Sequence, residues 1–67
     1  MKVVAHTPYG VFKSREIPED QLYKVEEILN NIHKLVNYRF PLSNDNVIFF
    51  TKEMIAKTLF ILENWND

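Results

Sequence analysis

A chain of 67 residues with eight basic and nine acidic side chains, a formal charge of −1 and no cysteine is bounded before any motif is read. It has room for a single domain, residues 1–67, which hides only about 60% of the surface its unfolded form exposes. The missing cysteines exclude disulfides, thiolate zinc sites and thiol redox chemistry. The balanced charge lacks the basic footprint on which phosphate binding rests.

Lys2–Thr7 and Val11–Glu16 are β-branched or aromatic and are separated by Pro8-Tyr9-Gly10, so they predict a β-hairpin. Proline presets φ near −65° and glycine accepts positive φ. A three-residue loop then sets Thr7 opposite Val11, His6 opposite Phe12 and Val4 opposite Ser14. In that register Val4, His6 and Phe12 share one face, and Val3, Ala5, Val11 and Lys13 the other. A slip of one residue would reshuffle both.

Pro18 opens a helix predicted over Glu19–Asn37. Proline suits the first helical position, and Glu19 and Asp20 complement the helix dipole. Leu22, Val25, Ile28, Leu29, Ile32, Leu35 and Val36 fall on an arc of roughly 140° at helical spacing. Asp20 and Lys24 are four apart on the outer side, a pairing of about 0.3 kcal/mol. Asn37 suits a left-handed cap, and Pro41 disfavours helix at Phe40.

Leu42–Asn46 reads as a polar turn and Val47–Phe50 as a strand apolar on both faces. Two readings follow. In one, Thr51 caps a short helical turn over Lys52–Lys57 before a last strand, Leu59–Leu62. In the other, 52–65 is a single helix, with Met54, Ile55, Leu59, Ile61, Leu62 and Trp65 on one arc. The strand is preferred because it completes a four-stranded sheet and gives Val47–Phe50 two neighbours. The expected fold is therefore α+β, of order ββαββ, with one antiparallel four-stranded sheet and a helix on one face; ββαβα is the alternative.

Chemistry is thinly represented. His6 and His33 stand alone, with no second ligand at metal spacing. Glu19-Asp20 and Glu26-Glu27 are sequence neighbours that diverge by about 100° on a helix. One glycine rules out a Gly-rich phosphate loop, and no nucleophile elbow is present. No catalytic, metal or cofactor site is expected, and no enzyme.

The aromatic residues carry more weight. One helix covers one sheet face, yet the runs at 47–50 and 59–62 are apolar on both, so Ile48 and Phe50, or Val47 and Phe49, must look away from the helix. Such a patch marks a partner surface, made of Tyr9, Val47, Ile48, Phe49, Phe50, Phe60, Leu62 and Trp65. A symmetric homodimer is the simplest outcome. Alternatively Phe40, Leu42 and Trp65 fold back over the patch. A different class, a small nucleic-acid binder, would use Lys13 and Arg15 beside aromatic residues on the sheet; the acidic residues near them dilute its field.

No apolar run approaches the ~20 residues that span a bilayer, and the start of the chain lacks a signal-peptide pattern, so a soluble cytoplasmic protein is expected. The stretches "MKVVAHTPYGVFKSRE" and "FPLSNDNVIFFTKEMIAKTLFILEN" resemble small uncharacterised proteins of T4-like marine bacteriophages, cyanophages among them, over nearly the whole chain. The resemblance implies a phage protein in a bacterial cytoplasm, with itself or a host or phage protein as partner, and favours the strand at Leu59–Leu62. It implies no activity, cofactor or functional residue.

Overall fold

The computed structural model describes residues 1–64. Strands β1 (Lys2–Thr7) and β2 (Gly10–Lys13) are followed by helix α1 (Leu22–Asn30), which 3-10 turns flank at Glu19–Gln21 and Ile32–Lys34. Strands β3 (Asn37–Pro41) and β4 (Val47–Thr51), the short helix α2 (Lys52–Ala56) and strand β5 (Leu59–Glu63) complete it. The class is α+β. The strands form two antiparallel sheets, β2-β1-β5 and β3-β4, in place of the expected single four-stranded sheet.

The second sheet exists because the helix is shorter than its apolar arc. The side chain of Asn31 donates to the Glu27 carbonyl (2.9 Å), competing for the helical backbone, and Asn31 itself leaves helical geometry at φ −112°, ψ 17°. Asparagine favours such local bonding over continued helix. By Leu35 the chain is extended (φ −81°, ψ 140°), and Asn37–Pro41 becomes a strand rather than a cap and loop. Pro41 is tolerated as its last residue. Leu42–Asn46 is the turn that joins it to β4: Leu42 N–H donates to the Asn46 carbonyl (2.7 Å), and Asp45 takes φ 70°, which aspartate tolerates better than most residues.

The first hairpin is also one residue tighter than expected. Thr7 pairs with Gly10, His6 with Val11, Ala5 with Phe12 and Val4 with Lys13, leaving only Pro8-Tyr9 as the loop. Thr7 closes it with both functions of its hydroxyl, accepting from Tyr9 N–H (3.0 Å) and donating to the Gly10 carbonyl (2.9 Å). Gly10 sits at φ 135°, a region that side chains avoid. The slip exchanges faces. Val3, Ala5 and Phe12 turn inward, and His6 shares the other face with Val11, Lys13 and the buried Val4.

Downstream, Thr51 does cap α2, its hydroxyl accepting from Met54 N–H (3.3 Å). The helix stops at Ala56, so the single helix over 52–65 does not form. β5 instead pairs with β1 along Lys2–Glu63 to His6–Leu59.

The two sheets enclose one core. Its buried members are Val3, Ala5, Ile32, Phe40, Phe50 and Ile55, with Phe40 at 1% and Phe50 at 2% exposure. Ring edges meet ring faces between Phe40 and Phe50 (5.7 Å), Phe50 and Phe60 (5.4 Å), and Tyr38 and Phe60 (5.9 Å). Such contacts add about 0.5–1.5 kcal/mol each beyond burial. One corner joins the sheets through a bridge between Ser14 and Leu42. There the Ser14 hydroxyl accepts from Val3 N–H (2.8 Å) and donates to the Arg15 carbonyl (2.9 Å).

Candidate interaction surface

The expected patch divides when the strands are placed. In β3-β4, Arg39 stands opposite Phe49, Pro41 opposite Val47, Tyr38 opposite Phe50 and Phe40 opposite Ile48. Phe50 and Phe40 are buried, so alternation along the strands turns Ile48 and Phe50 inward and Val47 and Phe49 outward. Phe50 is a core residue and drops out of the exposed patch. Phe60 and Leu62 are half-buried against the same core, opposite Ala5 and Val3, and drop out with it. The physical reason is the second sheet: once β3-β4 covers the inner face of β1-β5, residues that a single sheet leaves uncovered have a partner inside the chain. Trp65 lies outside the described residues.

What remains is more local. Tyr9, at the hairpin tip, is 82% exposed, and Phe49 is 72% exposed. The fold brings them to one groove of about 320 Å³. Phe12, Ile48 and Met54 line it between them, Phe50 forms part of its wall, and Thr7 is its one other polar member beside Tyr9. The groove runs beside β4, which is paired only with β3 in its sheet. Sequence reasoning placed Tyr9, Ile48 and Phe49 at an interface but missed Phe12 and Met54. Phe12 was assigned to the wrong face by the hairpin register. Met54 follows from the Thr51 cap, which sets it at the third position of α2.

A second apolar row lies on the outward face of the three-stranded sheet. Val11 and Leu59 are exposed on either side of His6, while in the next row Val4 is buried and Ile61 half-buried. His6 is exposed there, beside Val11 and Leu59 rather than Phe12. His33 is exposed on the second 3-10 turn. Among the described residues no three His, Asp or Glu side chains converge as a metal set.

Comparison with protein-family models, curated proteins and solved structures gave no match.

Of Lys13 and Arg15, the two basic residues expected beside the aromatic sheet residues, Arg15 turns to the β3-β4 loop, its Nε donating to the Leu42 carbonyl (3.3 Å) and its guanidinium meeting Asp45 Oδ1 at 3.2 Å. Lys13 stands opposite Val4 on the outward face of the three-stranded sheet. Burial pushes the phenol of Tyr38 up, so it stays protonated and able to donate. No helix among the described residues is long and apolar enough to cross a membrane.

Proposed function

We propose that this chain is a non-enzymatic protein–protein interaction module that associates with a second copy of itself through the groove beside β4. The supporting observation is the pair of exposed aromatic rings, Tyr9 and Phe49, flanking an apolar groove. Exposed aromatics beside a desolvated pocket are the residues that dominate interface energies. Two further features favour a second copy. β4 reads Val-Ile-Phe-Phe-Thr, an edge strand without the lysine, proline or bulge that keeps such edges from pairing. A protruding ring also lies beside a groove on the same patch, and a two-fold interface needs both on one surface. A host or phage protein seated on the same groove is the other partner consistent with the resemblance to phage proteins.

Association through so local a groove is expected to be concentration-dependent. Light scattering and sedimentation from micromolar to several hundred micromolar are expected to follow a monomer–dimer equilibrium. Phe49→Ser and Tyr9→Ser, both at exposed positions, should each weaken it by about tenfold or more with an unchanged circular dichroism spectrum. A strictly monomeric mass throughout, or dimerisation indifferent to both substitutions, overturns the proposal.

A further inference from the structure

Helix α1 does not close against the sheets at its beginning. A cavity of about 210 Å³ lies between the segment that leaves β2, the start of the helix and β3. Val3 and Phe40 form apolar lining at the sheets, Ile17 and Val25 on the helix side, and Gln21 and Tyr38 are among the polar residues that line it. We propose that this cavity binds a small, uncharged aromatic molecule of one substituted ring or two fused rings, held by a hydrogen bond from the Tyr38 hydroxyl.

Size, polarity and charge support that ligand class separately. At the interior packing density of about 0.74, the space takes roughly 150 Å³ of ligand, which suits one substituted ring or a fused pair. The lining is mainly apolar with a few polar groups, the usual make-up of a small-molecule site. The Tyr38 hydroxyl makes no hydrogen bond among the described residues, and none of the buried side-chain polar atoms there lacks a partner. This hydroxyl is therefore open to solvent and free to donate to an acceptor on the ligand; burial of the side chain keeps it protonated. Two charged residues reach the rim, and each already has a counter-charge. Arg15 meets Asp45, and Glu16 meets the terminal ammonium of Met1 at 2.6 Å. With both neutralised, an ionic ligand gains little to offset its desolvation. The site lies apart from the β4 groove and shares no lining residue with it, so it stands whether or not the chain dimerises.

Titration of the full chain with benzamide, a neutral substituted ring whose carbonyl can accept from the Tyr38 hydroxyl, followed by methyl NMR, tests the site. Saturable shifts are expected at the Val3, Ile17 and Val25 methyls, with Ile48 and Met54 in the β4 groove nearly unmoved. Binding should saturate with a dissociation constant of about 10 µM to 1 mM, the range open to about nine non-hydrogen atoms, and should raise the melting temperature. Val25→Phe fills the cavity and should abolish the shifts. Tyr38→Phe keeps the ring and should weaken binding about three- to tenfold, as loss of one hydrogen bond does. Benzoate, the same size but charged, should bind at least about tenfold more weakly than benzamide. Non-saturating shifts, equal shifts in the β4 groove, or affinity unchanged by Tyr38→Phe and equal for benzoate overturns the inference. The last two measurements decide it even if Val25→Phe does not fold.

Discussion

The sheet pair and helix α1 are built from similarly apolar sequence, yet they hold their side chains very differently. Between the sheets, Val3, Ala5, Phe40 and Phe50 are buried, and the rings of Phe40, Phe50 and Phe60 interlock. Along α1 no residue is buried. Val25 and Leu29 reach the core only as half-buried neighbours, while Tyr23 and Ile28 remain exposed. An amphipathic pattern therefore states which side of a helix faces inward, not how well that side is filled. Here the sandwich supplies the stability and the helix lies over an incompletely filled seat.

The largest expected effect breaks this contrast directly. Phe50→Ala removes a ring packed against Tyr38, Phe40 and Phe60, and should cost about 3–5 kcal/mol, the range for a fully buried phenylalanine. In a chain this small that is enough to unfold most of the population at 25 °C. Leu29→Ala on α1 should cost well under half as much, because its side chain is only half-buried. Denaturant titrations of the two variants measure the difference. Equal costs would mean that helix and sandwich form one cooperative block. Native-state hydrogen exchange sharpens the same point: amides of α1 should exchange through a local opening of lower free energy than those of β1.

A smaller effect probes the corner where the sheets meet. Ser14 stands in for a backbone partner, its hydroxyl accepting from the buried Val3 N–H. Ser14→Ala leaves that N–H without its acceptor, at a cost of about 1–3 kcal/mol. Ser14→Thr retains the hydroxyl and should recover part of the loss. A Ser14→Ala variant as stable as the parent would show that the bond adds nothing to the sandwich.

The contrast also explains what the sequence revealed and what it concealed. β4, the Thr51 cap and β5 were legible because short apolar runs and a capping threonine act within a few residues. The α+β class followed from them. Two features were hidden. Asn37–Pro41 as a strand depends on its pairing with β4, since the helical arc runs on to Val36, and the competing bond of Asn31 ends the helix first. The hairpin register turned on one threonine hydroxyl that closes a two-residue loop, where Pro-Tyr-Gly read alone suggested three. That one-residue slip moved His6 outside and Phe12 into the β4 groove. Of the residues expected at the interface, Tyr9 was legible as a solvent-facing aromatic at the hairpin tip, and Phe49 only as one of two alternatives. Phe50, Phe60 and Leu62 were not separable from them, because a run apolar on both faces does not state which face a second sheet covers.

The mildest test uses the one phenol that lies in the sandwich. Burial raises the pKa of Tyr38 in the folded chain, so the folded state holds its proton more tightly than the unfolded one. Below the unfolded value of about 10 both states are protonated and the group contributes no pH dependence. As pH rises through that value toward the folded one, the unfolded chain loses its proton first and stability falls. Tyr38→Phe cannot ionise and keeps the contacts with Phe40, Phe50 and Phe60. Unfolding free energies measured from pH 7 to 11 should therefore decline more steeply for the parent than for Tyr38→Phe, with the divergence beginning near pH 10. Tyr9→Phe, at the exposed hairpin tip, serves as the control and should track the parent. If Tyr38→Phe tracks it too, the phenol is solvated in the folded chain and the sandwich is looser around β3 than its ring contacts imply.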